Sequence, residues 1–342
     1  MDLNELKSRI KACNLSGCYV FAGEEDYLKR YYLGEIRNAL VGDPTLAAFN
    51  HSIFEGADIN FAQIRDAIKS PPVFANFKLI EWRYPSFTKA KESDLKLFEE
   101  TLDLLYDHPY ATLAFIVADG ELDFGTPKKE SRFVKRFKDK LNLFNMQKST
   151  DAQLNAWLKK HFDSYGINAS QAVCGELVFR AGRSMSVLKS EVDKLSFCAI
   201  ARGLKEIDSQ LVREVASSTP ESDTFALSNA ILERNKIGAF TALEEMKRDR
   251  LDPIVILGMM ERSYVEIVKV LMLLGEGMDS QDISRETGIH PYLVKRYISH
   301  AGKFTKKRAV KILDELVRVD TGLKYGGIAS YTAIEIFISK CV

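Results

Sequence analysis

Short runs rich in β-branched and aromatic residues recur through the first part of the chain, at residues 18–21, 49–54, 77–82, 111–117 and 141–146, with helical periodicity between them. Strands that alternate with helices predict a mostly parallel sheet covered by helices on both faces. Between the second and third runs, Phe61, Ile64 and Ile68 share one face of a helix that Asp58 can cap.

From about residue 149 the strand signals stop. Thr150 and Gln153 form a capping box ahead of a helix with the apolar stripe Leu154, Trp157, Leu158 and Phe162, which Gly166 ends. A second helix carries Val173, Leu177 and Ala181 before Gly182. A third carries Leu188, Val192, Leu195 and Ala199 before Gly203. None of the three buries its stripe alone, so they predict a small bundle. The polar, proline-interrupted stretch 215–222 reads as a link into a last, wholly helical domain, with helices over 225–232, 239–246, 254–274, 309–318 and 332–340. The division expected is 1–147, 148–214 and 215–342, an α/β domain followed by two all-α ones.

Composition narrows the class. With 342 residues, 46% hydrophobic and 28% charged, the chain can build two or three cores and is not disordered. A net charge of +1, from 48 basic and 47 acidic residues, supplies no global attraction to nucleic acid or to an acidic membrane. The opening Met1-Asp2-Leu3-Asn4-Glu5 lacks the flank of a signal peptide, and no run approaches the ~20 apolar residues of a membrane span. A cytoplasmic protein without membrane partners is expected. Cys13, Cys18, Cys174, Cys198 and Cys341 are scattered and read as free thiols. His51, His108, His161, His290 and His300 show no ligand spacing, so neither a metal nor another cofactor is expected.

The turn after the first strand, Gly23-Glu24-Glu25-Asp26, lies where a nucleotide-binding domain places its phosphate loop. Such a loop needs further glycines, a lysine for the phosphates and a hydroxyl for magnesium; here one glycine precedes three acids. The third strand ends Leu79-Ile80-Glu81-Trp82-Arg83, a single acid where an ATPase places a pair. Gly23, Glu24, Glu25 and Glu81 therefore read as a degenerate nucleotide site without hydrolysis.

Seven stretches in order resemble the delta subunit family of the bacterial DNA polymerase III clamp loader: 21–25; the helix from Asp58 into Pro71-Pro72-Val73-Phe74; 128–140; 182–195; 225–231; 288–295; and 320–326. The resemblance implies an AAA+-like (RecA-type) α/β domain, a three-helix lid and a helical collar. It implies a non-catalytic component of a DNA-directed DNA polymerase holoenzyme. Its partners would be the beta sliding clamp, the gamma/tau and delta-prime loader subunits, and primed DNA. On pattern alone Val73 and Phe74 read as core beside the sheet. By resemblance they are instead the hydrophobic pair that enters the clamp, with Pro71 and Pro72 stiffening the approach; the family more often has leucine where Val73 stands. The resemblance also places Tyr325, beside Lys324, against the primer-template junction, while core packing of Tyr325 is the other reading.

The basic run Lys128, Lys129, Arg132, Lys135, Arg136, Lys138 and Lys140 reads as a solvated helix face, interrupted by Glu130 and Asp139, rather than a phosphate track. Two rival functions remain. Residues 282–298, with Gly288 at a turn, have the look of a helix-turn-helix regulator, although Leu293, Val294 and Ile298 claim the second helix for packing. An ATP-hydrolysing loader relative would need the lysine and acid pair that are missing.

Overall fold

In the computed structural model the described residues are 2–126, 129–289, 291–301, 305–326 and 331–342, apart from the side chains at 300 and 323–326. They divide into two compact units, one running to Ser149 and the other beginning at Thr150.

The first unit is built on β1 (Gly17–Ala22), β2 (His51–Glu55), β3 (Lys78–Arg83), β4 (Ala111–Ile116), the two-residue strands β5 (Gly125–Thr126) and β6 (Lys129–Glu130), and β7 (Asn142–Asn145). Five of these form one sheet in the order β2-β3-β4-β1-β7, every pair parallel; β5 and β6 pair antiparallel. Its helices are α1 (Leu3–Lys11), α2 (Asp26–Val41), α3 (Pro44–Asn50), α4 (Phe61–Lys69), α5 (Glu92–Tyr106) and α6 (Arg132–Phe137). Successive side chains of a strand point to opposite faces, and the core divides accordingly. Val20, Ile80, Trp82, Leu113 and Phe115 pack with Ile64 and Ile68 of α4, Phe98 and Leu102 of α5, and Phe133 and Phe137 of α6. Tyr19, Phe21, Leu79, Ala114 and Ile116 pack with Leu6 of α1 and Tyr32, Leu33 and Ile36 of α2.

Two local expectations are corrected. Phe49 and Asn50 end a helix rather than begin a strand, because Asp43 caps α3 and Pro44 occupies its first turn. Asn60, not Asp58, caps α4, its side chain accepting from the Gln63 N–H; Phe61, Ile64 and Ile68 are buried along the face expected.

The second unit contains α7 (Asp151–Ser164), α8 (Gln171–Ala181), α9 (Met185–Ala201), α10 (Ser209–Val215), α11 (Pro220–Leu232), α12 (Lys236–Arg248), α13 (Pro253–Gly275), α14 (Ser280–Thr287), α15 (Pro291–His300), α16 (Lys306–Gly326) and α17 (Tyr331–Cys341). The short strands β8 (Asn168–Ala169) and β9 (Glu206–Ile207) pair alongside α7 to α10. The Thr150–Gln153 capping box forms, and Leu154, Leu158 and Phe162 are buried behind it. Pro220 opens α11 under a Thr219 cap and is not part of a linker, since proline's fixed φ suits the first turn of a helix. Ile231, Leu243, Met260, Tyr264, Val294, Leu316 and Phe337 meet in one core drawn from α11, α12, α13, α15, α16 and α17. Phe179 of α8 stacks on Tyr292 and meets Phe225 edge-on, so the bundle and the later helices share this unit.

Candidate functional site

The last carbonyls of α4 have no partners within their helix and would ordinarily turn to water. Here the buried Lys78 donates from Nζ to the Ser70 carbonyl at 2.9 Å, and the Tyr110 hydroxyl donates to the carbonyls of Ile68 (3.1 Å) and Lys69 (3.3 Å). The segment Pro71-Pro72-Val73-Phe74 thus leaves from an anchored point. Its far end is held by Asn50, a fully buried side chain at the end of α3. The Val73 N–H donates to Asn50 Oδ1 at 2.7 Å, and Asn50 Nδ2 donates back to the Val73 carbonyl at 2.9 Å and to Leu46 at 3.1 Å. Phe74 then turns outward at φ +51°, the left-handed region that side chains seldom adopt. It is 92% exposed and Val73 39% exposed, so neither is a core residue. No sequence signal singled out Asn50, Lys78 or Tyr110, because each acts on the tip across a distance in the chain.

The loop at Gly23 is closed. Gly23 has φ +101°, and a Cβ there would lie 2.6 Å from the Met146 carbonyl, so glycine is required by contact as well as by backbone. The Glu25 N–H donates to that same carbonyl at 2.8 Å, and the Glu25 side chain caps α2. Burial pushes the Glu25 carboxyl above its ordinary range. Glu24 lies at the surface, paired with Lys148 at 3.2 Å. The residue that fills the loop is Lys29, whose role no local pattern in the sequence marks. Its fully buried Nζ donates to the carbonyls of Gly23 (2.7 Å) and Val117 (2.9 Å) and meets Asp26 at 2.7 Å. An ammonium from the chain itself therefore ties the end of β1 to the end of β4.

Glu81 is buried between two bases, with His51 Nε2 at 2.9 Å from one oxygen and Arg83 Nε at 2.5 Å from the other. Burial acts to raise its carboxyl, but hydrogen bonds from His51 and Arg83 outweigh it and hold the group below the usual carboxylate range. That acid is spent on a structural network. Among the described residues no three His, Cys, Asp or Glu side chains are grouped to hold a metal, and no helix is long and apolar enough to cross a membrane.

The basic run meets acids. Arg132 and Arg136 pair with Glu92, Arg136 and Lys140 with Glu99, and Lys138 with Glu130. A face neutralised in this way has little charge left for a phosphate backbone. Lys128 and His290, and the side chains of Lys324 and Tyr325, lie outside the described residues. The helix-turn-helix is present in outline, with Gly288 left-handed between α14 and α15. On α15, however, Val294 and Tyr297 are buried in the core and Tyr292 stacks on Phe179, so much of that helix faces protein.

Comparison with known proteins agrees along most of the chain. The family model for the DNA polymerase III delta subunit matches residues 19–147, and the model for its C-terminal domain matches residues 221–341. The DNA polymerase III subunit delta of Bacillus subtilis is 22% identical over 327 residues, spanning 94% of this chain and 91% of that protein. A solved structure of the Bacillus subtilis DNA clamp loader delta protein shares the fold at a TM-score of 0.59 with 18% identity, covering 99% of both chains. With both of the family's domains matched in order, this chain belongs to the DNA polymerase III delta subunit family.

Proposed function

We propose that Val73 and Phe74 are the anchor by which this clamp-loader subunit grips the beta sliding clamp and shifts the ring toward opening. The observation that carries the reading is the 92% exposure of Phe74 on a backbone fastened at both ends. Burying the phenyl ring in an apolar pocket would contribute about 1.5–3 kcal/mol, and Val73 somewhat less because part of it is already covered. Prolines and hydrogen bonds fix the tip before docking, so little conformational entropy remains to be lost.

Opening follows from differential affinity. If the tip and its surroundings fit a strained clamp protomer better than a relaxed one, binding moves the ring's equilibrium by that difference. The Lys29 ammonium within the Gly23 loop supports a subunit that does not use ATP itself. Energy would come from the gamma/tau and delta-prime partners, with the chain serving as a non-catalytic part of the polymerase holoenzyme in the cytoplasm. Primed DNA would pass the last domain near Lys324 and Tyr325. The three-way division into α/β, lid (148–214) and collar (215–342) domains belongs to the same reading.

The test is the double variant Val73→Ala/Phe74→Ala, assayed for binding to a cognate clamp without nucleotide and for thermal unfolding. Clamp binding should fall at least a hundredfold while Tm stays within a degree or two. Retained binding, or a collapse of Tm, would remove the tip from this role.

A further inference from the structure

Beside the carboxyl ends of β3 and β4, α2 and the sheet border a cavity of about 240 Å³ to which Arg30, Gly34, Arg37, Glu81, Arg83 and Tyr84 contribute. Arg30 and Arg37 are two helical turns apart and so share a face of α2, and Gly34 between them leaves the space a side chain would take. Opposite them, Tyr84 sits at φ +61°, an uncommon conformation for a tyrosine, held by its N–H donating to the Ile116 carbonyl at 2.7 Å. Arg30 Nη2 donates to the Tyr84 hydroxyl at 3.0 Å. Arg83 is aimed from below by the buried Glu81.

The charges do not cancel. Arg83 has Glu81 as its ion-pair partner and also feels Glu55, its neighbour across the β2–β3 ladder. Among the described residues neither Arg30 nor Arg37 has a carboxylate within ion-pair distance, unlike the arginines of the basic run. A concave site with excess guanidinium, at the carboxyl end of a parallel sheet, concentrates small anions. Its volume is below that of drug-sized pockets, and the forked donors of arginine match the oxygens of phosphate. None of the residues of the closed Gly23 loop borders it.

We infer that this cavity binds a phosphate or diphosphate group, with Arg30, Arg37, Arg83 and the Tyr84 hydroxyl as donors and Glu81 as the positioning residue for Arg83. The same chemistry occurs in free pyrophosphate and in the terminal phosphates of a nucleotide, and the experiment separates them.

The full chain is titrated calorimetrically at low ionic strength with inorganic phosphate, pyrophosphate and magnesium-free ATP, against sodium chloride of matched ionic strength. The wild-type chain should take up one pyrophosphate saturably, with a rise in Tm. The Arg30→Ala/Arg37→Ala variant should bind at least tenfold more weakly with its ligand-free Tm unchanged; if that pair fails to fold, Arg30→Gln/Arg37→Gln carries the same comparison. ATP binding well above pyrophosphate assigns the site to a nucleotide's phosphates, and equal binding assigns it to the free anion. Absence of saturable binding, equal displacement by chloride, or affinity indifferent to the arginine substitutions overturns the assignment.

Discussion

The carboxamide of Asn50 grips the backbone of Val73 from both sides, accepting from its N–H at 2.7 Å and donating to its carbonyl at 2.9 Å. A buried side chain on one helix thus sets the path of an exposed residue 23 positions later. If the tip anchors a partner, its affinity depends on this grip. Asn50→Ala should weaken clamp binding about tenfold, the loss of roughly 1.4 kcal/mol expected when two such bonds go. Asn50→Asp keeps the acceptor but sets a buried carboxylate against the carbonyls of Val73 and Leu46, and should weaken binding at least as much as alanine does. Surface plasmon resonance with immobilised clamp reads this directly; an Asn50→Ala affinity equal to that of the parent would show that the tip needs no such support.

Lys29 makes a second prediction. In Lys29→Met the carbonyls of Gly23 and Val117 lose a charged donor inside the protein, and each unsatisfied group costs about 1–3 kcal/mol. Urea unfolding should show a midpoint shift equivalent to at least about 2 kcal/mol at unchanged slope. A stability equal to the parent's would mean that water replaces the ammonium without loss.

The surface pairing of α5 with α6 and its flank predicts a pH response. Hydrogen bonds from Lys140 and Arg136 hold the Glu99 carboxyl down at about 2. A group with a depressed folded-state value stabilises fully above its unfolded value and loses that contribution as pH falls through the folded one. The contribution should therefore be intact at pH 6 and fade between about pH 4.5 and pH 2. The pH dependence of Tm in that window should be shallower in Glu99→Gln, and salt should flatten the parent's curve as well, because exposed pairs are screened. Identical profiles for the two proteins would discount the pairing.

In the second unit, Arg308 donates to three carbonyls, those of Ile231 and Leu232 at the end of α11 and of Cys341 at the end of α17, each within 2.9 Å. Only a planar fork with several fixed donors reaches all three, so Arg308→Lys is not conservative here. Calorimetry should give a Tm several degrees lower for Arg308→Lys. A change of less than one degree would show that lysine and water satisfy those helix ends equally well.

The alternation that predicts five strands is a local property, and it reads correctly to within a residue or two except where Asp43 and Pro44 extend a helix through Asn50. The Thr150–Gln153 box and the left-handed glycines at 166, 203 and 288 are equally local. Legibility ended where a side chain serves a distant segment. Nothing around Asn50 signals an amide aimed at Val73, and nothing around Lys29 marks an ammonium bound for the end of β4, 88 residues away. For Val73 and Phe74 themselves, hydrophobicity pointed inward, and only the family resemblance pointed outward. Resemblance to a family can report an outward-facing residue that periodicity alone assigns to the core.

The fastening of β1 to β4 by Lys29 bears on timing. A phosphate loop that takes and releases a nucleotide alternates between two conditions and can act as a clock. Here the cation seated at the loop is a side chain bonded to the carbonyls of Gly23 and Val117, so the join between the ends of β1 and β4 does not depend on a ligand arriving or departing; under the proposed function, timing would come from the loader's partner subunits.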